Sequence, residues 1–455
     1  MALSVQIEGP IRGPGHVMGG YAGDLTIFGY VEEEYFVSGL ARTYRPAGRL
    51  DVSGEWSVEA TDTRPFRTRV IVHRPIDPSR FNGIVLCEWS NVSSLNEISW
   101  AVNENFHRSG YVYAAVSAQT VGVDGLDGVE RSGLRRLDPQ RYGRLKIPGD
   151  SCSFDIFAAV ARCLMATHGV GARLLPGLSP HDCVAIGESQ SASRLVSYVN
   201  AVHRHHQVFS AFILSVLLGG ATDFDDSPVV PGQSKSDFNE QQLRRLIATT
   251  VRADAGVPVL LLQSETEARA ARVPSPGDSE WIRVWELAGS VHRSACDGGY
   301  RPDISERDGW DDPFAGQAQR MVRFSPTIAA AARPLAQWAG GGRPLASQPR
   351  LRRRGQGVEL ELDDVGNVVG GVRMPEIEVP TAVYSSAVSL MWGDRTPLPR
   401  ESLLGRYQDP TAYVERVREA ATARAHVDQL LPWHVEQYVD EAVRLVNQRF
   451  SSGIN

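Results

Sequence analysis

The chain has 455 residues, 42% hydrophobic and 22% charged, which excludes collagen, coiled coil and wholesale disorder and allows one large core or two modest ones. Lys plus Arg number 47 against 53 Asp plus Glu, a net charge of −6, so the basic excess of a nucleic-acid binder is missing. The 43 glycines and 27 prolines fit a fold with many tight loops.

Residues 1–82 read as β. VEEEYFVSGLARTY from Val31, WSVEAT from Trp56 and TRVIVHRP from Thr68 mix alternation with β-branched and aromatic residues, punctuated by Gly and Pro. The pattern then changes. GIVLCEWS from Gly83 is a nearly continuous apolar run, followed by a helical stretch through Phe106 and by YVYAAVSAQ from Tyr111. A long polar loop leads to the helix SFDIFAAVARCLMAT, the short buried strand CVAIG from Cys183 and the helix SASRLVSYVNAVH. AFILSVL from Ala211, VPVLLLQ from Val257 and IRVWELAG from Ile282 complete the set. Short apolar strands alternating with helices predict a mostly parallel, doubly wound α/β sheet with an antiparallel N-terminal lead-in.

The expected layout is a β-rich start over 1–82, an α/β core over 83–317 and a mainly helical C-terminal extension over 318–455. About 218–256 is an insertion between two strands, long enough to form a lid. The basic run RLRRRGQG from Arg350 reads as a solvated loop.

Cys87, Cys152, Cys163, Cys183 and Cys296 are scattered, odd in number and set mostly in apolar segments. They read as buried free thiols, and no C-x-x-C zinc spacing is present. MALSVQIEGP lacks a secretory pattern, and no apolar run reaches the roughly 20 residues of a membrane span. The expectation is a cytoplasmic protein without metal or other cofactor. The sequon at Asn91 is then unglycosylated.

Gly187-Glu188-Ser189-Gln190-Ser191 has the spacing of a nucleophile elbow, where a serine sits on a strained strand-to-helix turn. Small residues belong two before and two after it, and here Ser191 replaces the usual second Gly. Two other Gly-x-Ser-x-Ser matches centre on Ser151 and Ser234. Context disfavours both. Pro148 precedes the first, and Ser151 or Ser153 reads as a helix N-cap. Ser234 reads as loop. Only Ser189 is approached by a buried strand and left by an amphipathic helix.

A serine hydroxyl needs a base, usually His, oriented by a carboxylate. His292 follows the last predicted sheet strand. His426 and His434 lie in helical sequence, and His203, His205 and His206 read as a solvated cluster at a helix end, a poor metal site. VPVLLLQ runs into Ser264-Glu265-Thr266-Glu267, so the acid is Glu267 or Glu265, with Glu267 favoured. Asp223, Asp225 and Asp226 are second choices. The oxyanion needs two backbone N–H donors. One falls to Gln190, the other to Ser90 or Asn91 after the strand GIVLCEWS. Glu88 and Trp89 read as strand-end packing.

With these positions assembled, the chain resembles the α/β-hydrolase superfamily, and more narrowly the "alpha/beta hydrolase domain-containing" proteins with a GESQSA elbow. CEWSNVS, SAQTVGV, RYGRLKIPGDSCSFDIF, GESQSASRLVSYVNAV, VPVLLLQSETE, VWELAGSVH and GNVVGGVRMP carry the likeness, from about Leu86 to Pro375. The resemblance implies serine hydrolase chemistry on carboxylic esters and little about substrate. Asp150, Asp155, Asn367 and Arg373 sit in motifs of that kind, and capping or loop anchoring accounts for them. The expected activity is cleavage of a small-molecule ester or lactone through an acyl-enzyme. Acyl transfer with the same triad is the close rival, and a catalytically silent binding protein the distant one. Neither nucleic acid nor membrane is an expected partner. Nothing in the sequence specifies an oligomeric state.

Overall fold

A computed structural model describes residues 5–226, 232–270, 275–294, 302–310, 320–355, 357–389 and 391–450. One sheet of nine strands runs through it: β1 (Gln6–Glu8), β2 (Tyr30–Pro46), β3 (Val58–Pro75), β4 (Ile84–Trp89), β5 (Val112–Val116), β6 (Asp182–Glu188), β7 (Ala211–Ser215), β8 (Val259–Ser264) and β9 (Ile282–Leu287). Their spatial order is β1-β2-β3-β5-β4-β6-β7-β8-β9. β1 to β3 are antiparallel, and β3 meets β5 antiparallel with Val70 opposite Val116. From β5 onward every pairing is parallel. This is the expected doubly wound sheet with an antiparallel beginning.

The parallel strands are mainly apolar because both faces are covered. Val85 and Cys87 of β4 join one core with Phe154, Phe157, Leu195 and Tyr198. Leu86, between them, joins the other with Phe106, Ile328, Ala332 and Leu335. The helices used below are α1 (Glu104–Arg108), α2 (Ser153–Leu164), α3 (Gln190–Ser197), α4 (Lys235–Arg245), α5 (Glu265–Ala270), α6 (Ser325–Ala339), α7 (Pro410–Ala425) and α8 (Pro432–Arg449). α6 covers the second face of the sheet, so residues on both sides of position 318 share one core. A small hairpin, β10 (Ala382–Ser385) with β11 (Asp394–Pro397), lies between α6 and the packed pair α7 and α8.

Several local readings change. Neither Ser151 nor Ser153 caps α2, whose N-cap is Cys152 and carries no side-chain bond. The Ser151 N–H is held by Asp226 at 2.9 Å, so the turn is fixed by the segment after β7. Ser234 is not plain loop. It caps α4 in a box with Asp237, for which S-x-x-D was the available signal. His206 is not solvated: its ring is sealed between Asp155, Tyr44 and Tyr198. His203 is also buried, and His205 alone of the three is exposed. The four described cysteines are buried free thiols, and Cys296 lies outside the described residues.

Candidate active site

β6 ends where its last residue, Glu188, meets the elbow. Ser189 has φ 55° and ψ −114°, a left-handed conformation that costs a non-glycine residue energy. The turn is tight. A Cβ at Gly187 would stand 2.9 Å from the Ser191 backbone and from Leu195 Cδ1, so only Gly fits there. The Ser in place of the usual second Gly has its own function. Ser191 Oγ accepts from the Glu188 N–H at 2.9 Å and donates to the Glu188 carbonyl at 3.0 Å, clipping the elbow across its base. From below, the Asp150 carboxylate takes Arg194 of α3 at 2.7 Å and the Thr120 N–H at 2.8 Å. Asp150 is thus the anchor expected of it.

The histidine arrives from the other side of the sheet. β8 ends at Ser264, and α5 begins with Glu265. The Ser264 N–H donates to Glu267 Oε2 at 3.1 Å, which folds the Glu267 side chain back over the first turn. Glu267 Oε1 then receives His292 Nδ1 at 2.6 Å, with both side chains buried. A carboxylate only accepts, so Nδ1 carries the proton and Nε2 keeps its lone pair. Ser189 and His292 line one cavity of about 230 Å³.

Glu265, the rival acid, does not meet the imidazole. Its Oε1 receives the Gly289 N–H at 2.6 Å, and its own N–H donates to the Ser290 carbonyl at 3.3 Å. It holds the loop that carries His292. Burial pushes its carboxyl up to about 7. Asp223 and Asp225 pair with Arg245 of α4, and Asp226 pairs with Arg64 and Ser151, so none of them faces the histidine.

The expected second oxyanion donor fails on geometry. The Ser90 N–H is spent on the Val116 carbonyl at 3.2 Å, and the Asn91 N–H on Ile98 at 3.0 Å. Pairing in this loop consumes both amides. The Asn91 side chain bonds at the elbow instead. Its Oδ1 accepts from the Ser93 N–H at 2.9 Å, and its Nδ2 donates to the Glu188 carbonyl at 2.8 Å, beside the nucleophile. The Gln190 N–H lies in the first turn of α3, where no intrahelical acceptor exists. Glu88 steadies the same loop, accepting from the Trp100 and Ala101 N–H groups and the Tyr113 hydroxyl. Burial drives it up to about 7. Trp89 is buried strand-end packing, as expected.

Of the rest of the cavity wall, only the segment 218–256 was legible in the sequence, and not its individual residues. Leu218, Thr222, Asn239, Gln242, Leu243 and Leu246 border it from the segment read as a lid. Phe238 docks that segment on Val92, Leu95, Val121 and Leu126, and Asn239 bonds the Ser93 carbonyl at 3.0 Å. Ile98, Trp100 and Met391 add apolar wall, and Arg293 has its guanidinium against the rings of Trp100 and Trp392. Among these positions, Asn239, Gln242, Leu243 and Leu246 share one face of α4 and its C-cap at helical spacing, while the others converge from separate loops and carry no periodic signal. Among the described residues no group of three His, Cys, Asp or Glu is placed to hold a metal ion, and no helix is long and apolar enough to cross a membrane. Asp155 accepts from the Arg42 N–H of β2, Asn367 ties its own loop to β10, and Arg373 pairs with Asp363 and Glu378.

A nine-stranded doubly wound sheet, with a strained serine after β6 and a His–Glu pair after β8 and β9, defines an α/β hydrolase fold. Residues 7–440 match the alpha/beta hydrolase domain family, and the chain belongs to it. No curated protein matches. Among solved structures it is similar to esterase Est22 at 10% identity, over 69% of this chain and 81% of that one, TM-score 0.32. It is also similar to fungal esterases from Rhizomucor miehei at 11% identity, over 72% and 94%, TM-score 0.32. A third is brefeldin A esterase, a bacterial homologue of human hormone sensitive lipase, at 11% identity over 66% and 77%, TM-score 0.28.

Proposed function

We propose that the protein is a serine hydrolase that cleaves a carboxylic ester or lactone through an acyl-enzyme. The observation that carries this reading is the cavity shared by Ser189 on its strained turn and His292, whose Nδ1 is held by Glu267. In this reading His292 Nε2 takes the proton from Ser189 Oγ as the hydroxyl attacks the acyl carbon. Glu267 holds the tautomer and stabilises the imidazolium. The oxyanion is received by the Gln190 N–H, with the Nδ2 group of Asn91 as the second donor. His292 then protonates the leaving oxygen, and water clears the acyl group. The segment 218–256 serves as the lid over this chemistry. The buried free thiols support a reducing, cytoplasmic setting.

A fluorophosphonate probe tests the reading. Covalent labelling is expected on the peptide that contains Ser189, with loss of label in a folded Ser189→Ala variant. Labelling at Ser151 or Ser234 instead would overturn it. A panel of nitrophenyl esters and lactones with added alcohols separates the two chemistries: free acid marks hydrolysis, and new ester marks acyl transfer.

A further inference from the structure

We infer that the substrate is a hydroxyacyl ester, with a free hydroxyl near its acyl carbon that is received by the side chain of Gln190. The inference rests on the ester-hydrolase reading above and narrows its substrate.

The orientation of Gln190 follows from a chain of three groups. Trp89 Nε1 can only donate, and it meets Gln119 at 3.0 Å, so the Gln119 atom there is Oε1. The same oxygen is met by the Gln190 carboxamide at 3.0 Å, so Gln190 must present its nitrogen to it. Trp89 and Gln119 are both buried, which holds the chain in place. Gln190 Oε1 is therefore fixed as an acceptor. It is buried and has no hydrogen-bond partner, on a residue that lines the catalytic cavity. Leaving such an acceptor unsatisfied is costly, and a site with one selects a ligand that supplies the donor. A second amide points the same way: Gln242 Nε2, on the lid helix α4, is also buried without a partner and borders the same cavity. Other wall residues, including Leu218, Leu246 and Ile98, are apolar.

The topology assigns the hydroxyl to the acyl side. Gln119 follows β5, which lies on one side of β6 in the sheet, while His292 follows β9 on the other. The leaving oxygen must sit by His292 to be protonated. The Gln190 side chain is drawn toward β5, away from the leaving group. Gln190 also directly follows the nucleophile, so the group it receives lies within a few bonds of the acyl carbon.

The test compares nitrophenyl esters of butyrate, 2-hydroxybutyrate and 3-hydroxybutyrate, with wild type, Gln190→Met and Gln190→Leu. Both variants keep the backbone N–H and remove the acceptor. In wild type, kcat/KM for one hydroxy ester is expected to exceed that for butyrate by about 10-fold or more. In a folded variant the ratio is expected to fall to about one. Equal rates on all three esters in wild type would overturn the inference and leave the hydrolase reading intact. A preference that survives in both variants would also overturn it, because the donor would then be received elsewhere. If no ester is cleaved, the hydrolase reading falls and this inference with it.

Discussion

Among the described residues, two histidine–carboxylate pairs of nearly equal length have both side chains buried. His292 Nδ1 meets Glu267 at 2.6 Å, and His206 Nε2 meets Asp155 at 2.8 Å. The second is closed on every side. Tyr198 donates to or accepts from Nδ1 at 2.9 Å, Tyr44 reaches both Asp155 and the ring, and the Arg42 N–H takes the other carboxylate oxygen. Both ring nitrogens are used, so the ring has no free lone pair for chemistry. His292 of the first pair lies on the wall of a cavity that the strained Ser189 also lines. The lesson is that a His–acid pair becomes a candidate base through access and a neighbour, not through its own geometry.

The sharpest way to break this comparison is to remove each histidine in turn. With His292→Ala, kcat is expected to fall by about 10⁴-fold or more while the fold persists, as measured by ester turnover and circular dichroism. Glu267→Gln keeps the shape but offers the imidazole an amide, and a loss of about 10³-fold or more is expected. A similar loss in Glu265→Gln alone would reassign the acid.

His206→Leu should do the reverse. It removes one partner of a buried charged network, so a stability loss of about 3 kcal/mol is expected in denaturant unfolding. The kcat of the folded fraction should stay near wild type. A large fall in kcat without a stability change would mean that the two pairs are not distinguished by access.

Glu265 sharpens the contrast, because it is buried beside the active pair and serves the loop. Its folded value of about 7 is raised from 4.5, so between those limits the folded state holds a proton that the unfolded chain has lost. Its contribution to stability therefore falls as pH rises through that window. Glu265→Gln keeps an acceptor for the Gly289 N–H and removes the charge. Its gain in stability should be near zero at pH 4 and greatest near pH 8, at most about 3 kcal/mol by the size of the shift. Thermal unfolding across pH checks this, and a gain that does not vary with pH would sink it.

The smallest effect concerns the segment 218–256. Asn239→Ala removes the bond from α4 to the Ser93 carbonyl, worth about 1 kcal/mol. KM is expected to change more than overall stability. Equal kinetics over an ester panel would show that this contact does not hold the cavity.

The sequence by itself determined what is local. A buried strand, a small residue, a serine and an amphipathic helix within about twenty positions carried the elbow, because its steric demands act between neighbours. Gly187 and Leu195, which the turn forces together, are eight positions apart. The alternation of apolar runs and helices carried the sheet for the same reason. Tertiary structure decided whatever depended on competition between distant groups. Position in the turn favours Glu267 over Glu265 only modestly, and the docking of a loop 25 residues further on gives one to His292 and the other to Gly289. Ser90 and Asn91 stand where an oxyanion donor is expected, but Val116 and Ile98 claim their amides once β5 and the loop close on them. His206 looked solvated beside His205 until Asp155, 51 positions away, packed against it. In each case the residue type set what the group could do, and the hydrogen-bond partner supplied by the folded chain set what it does.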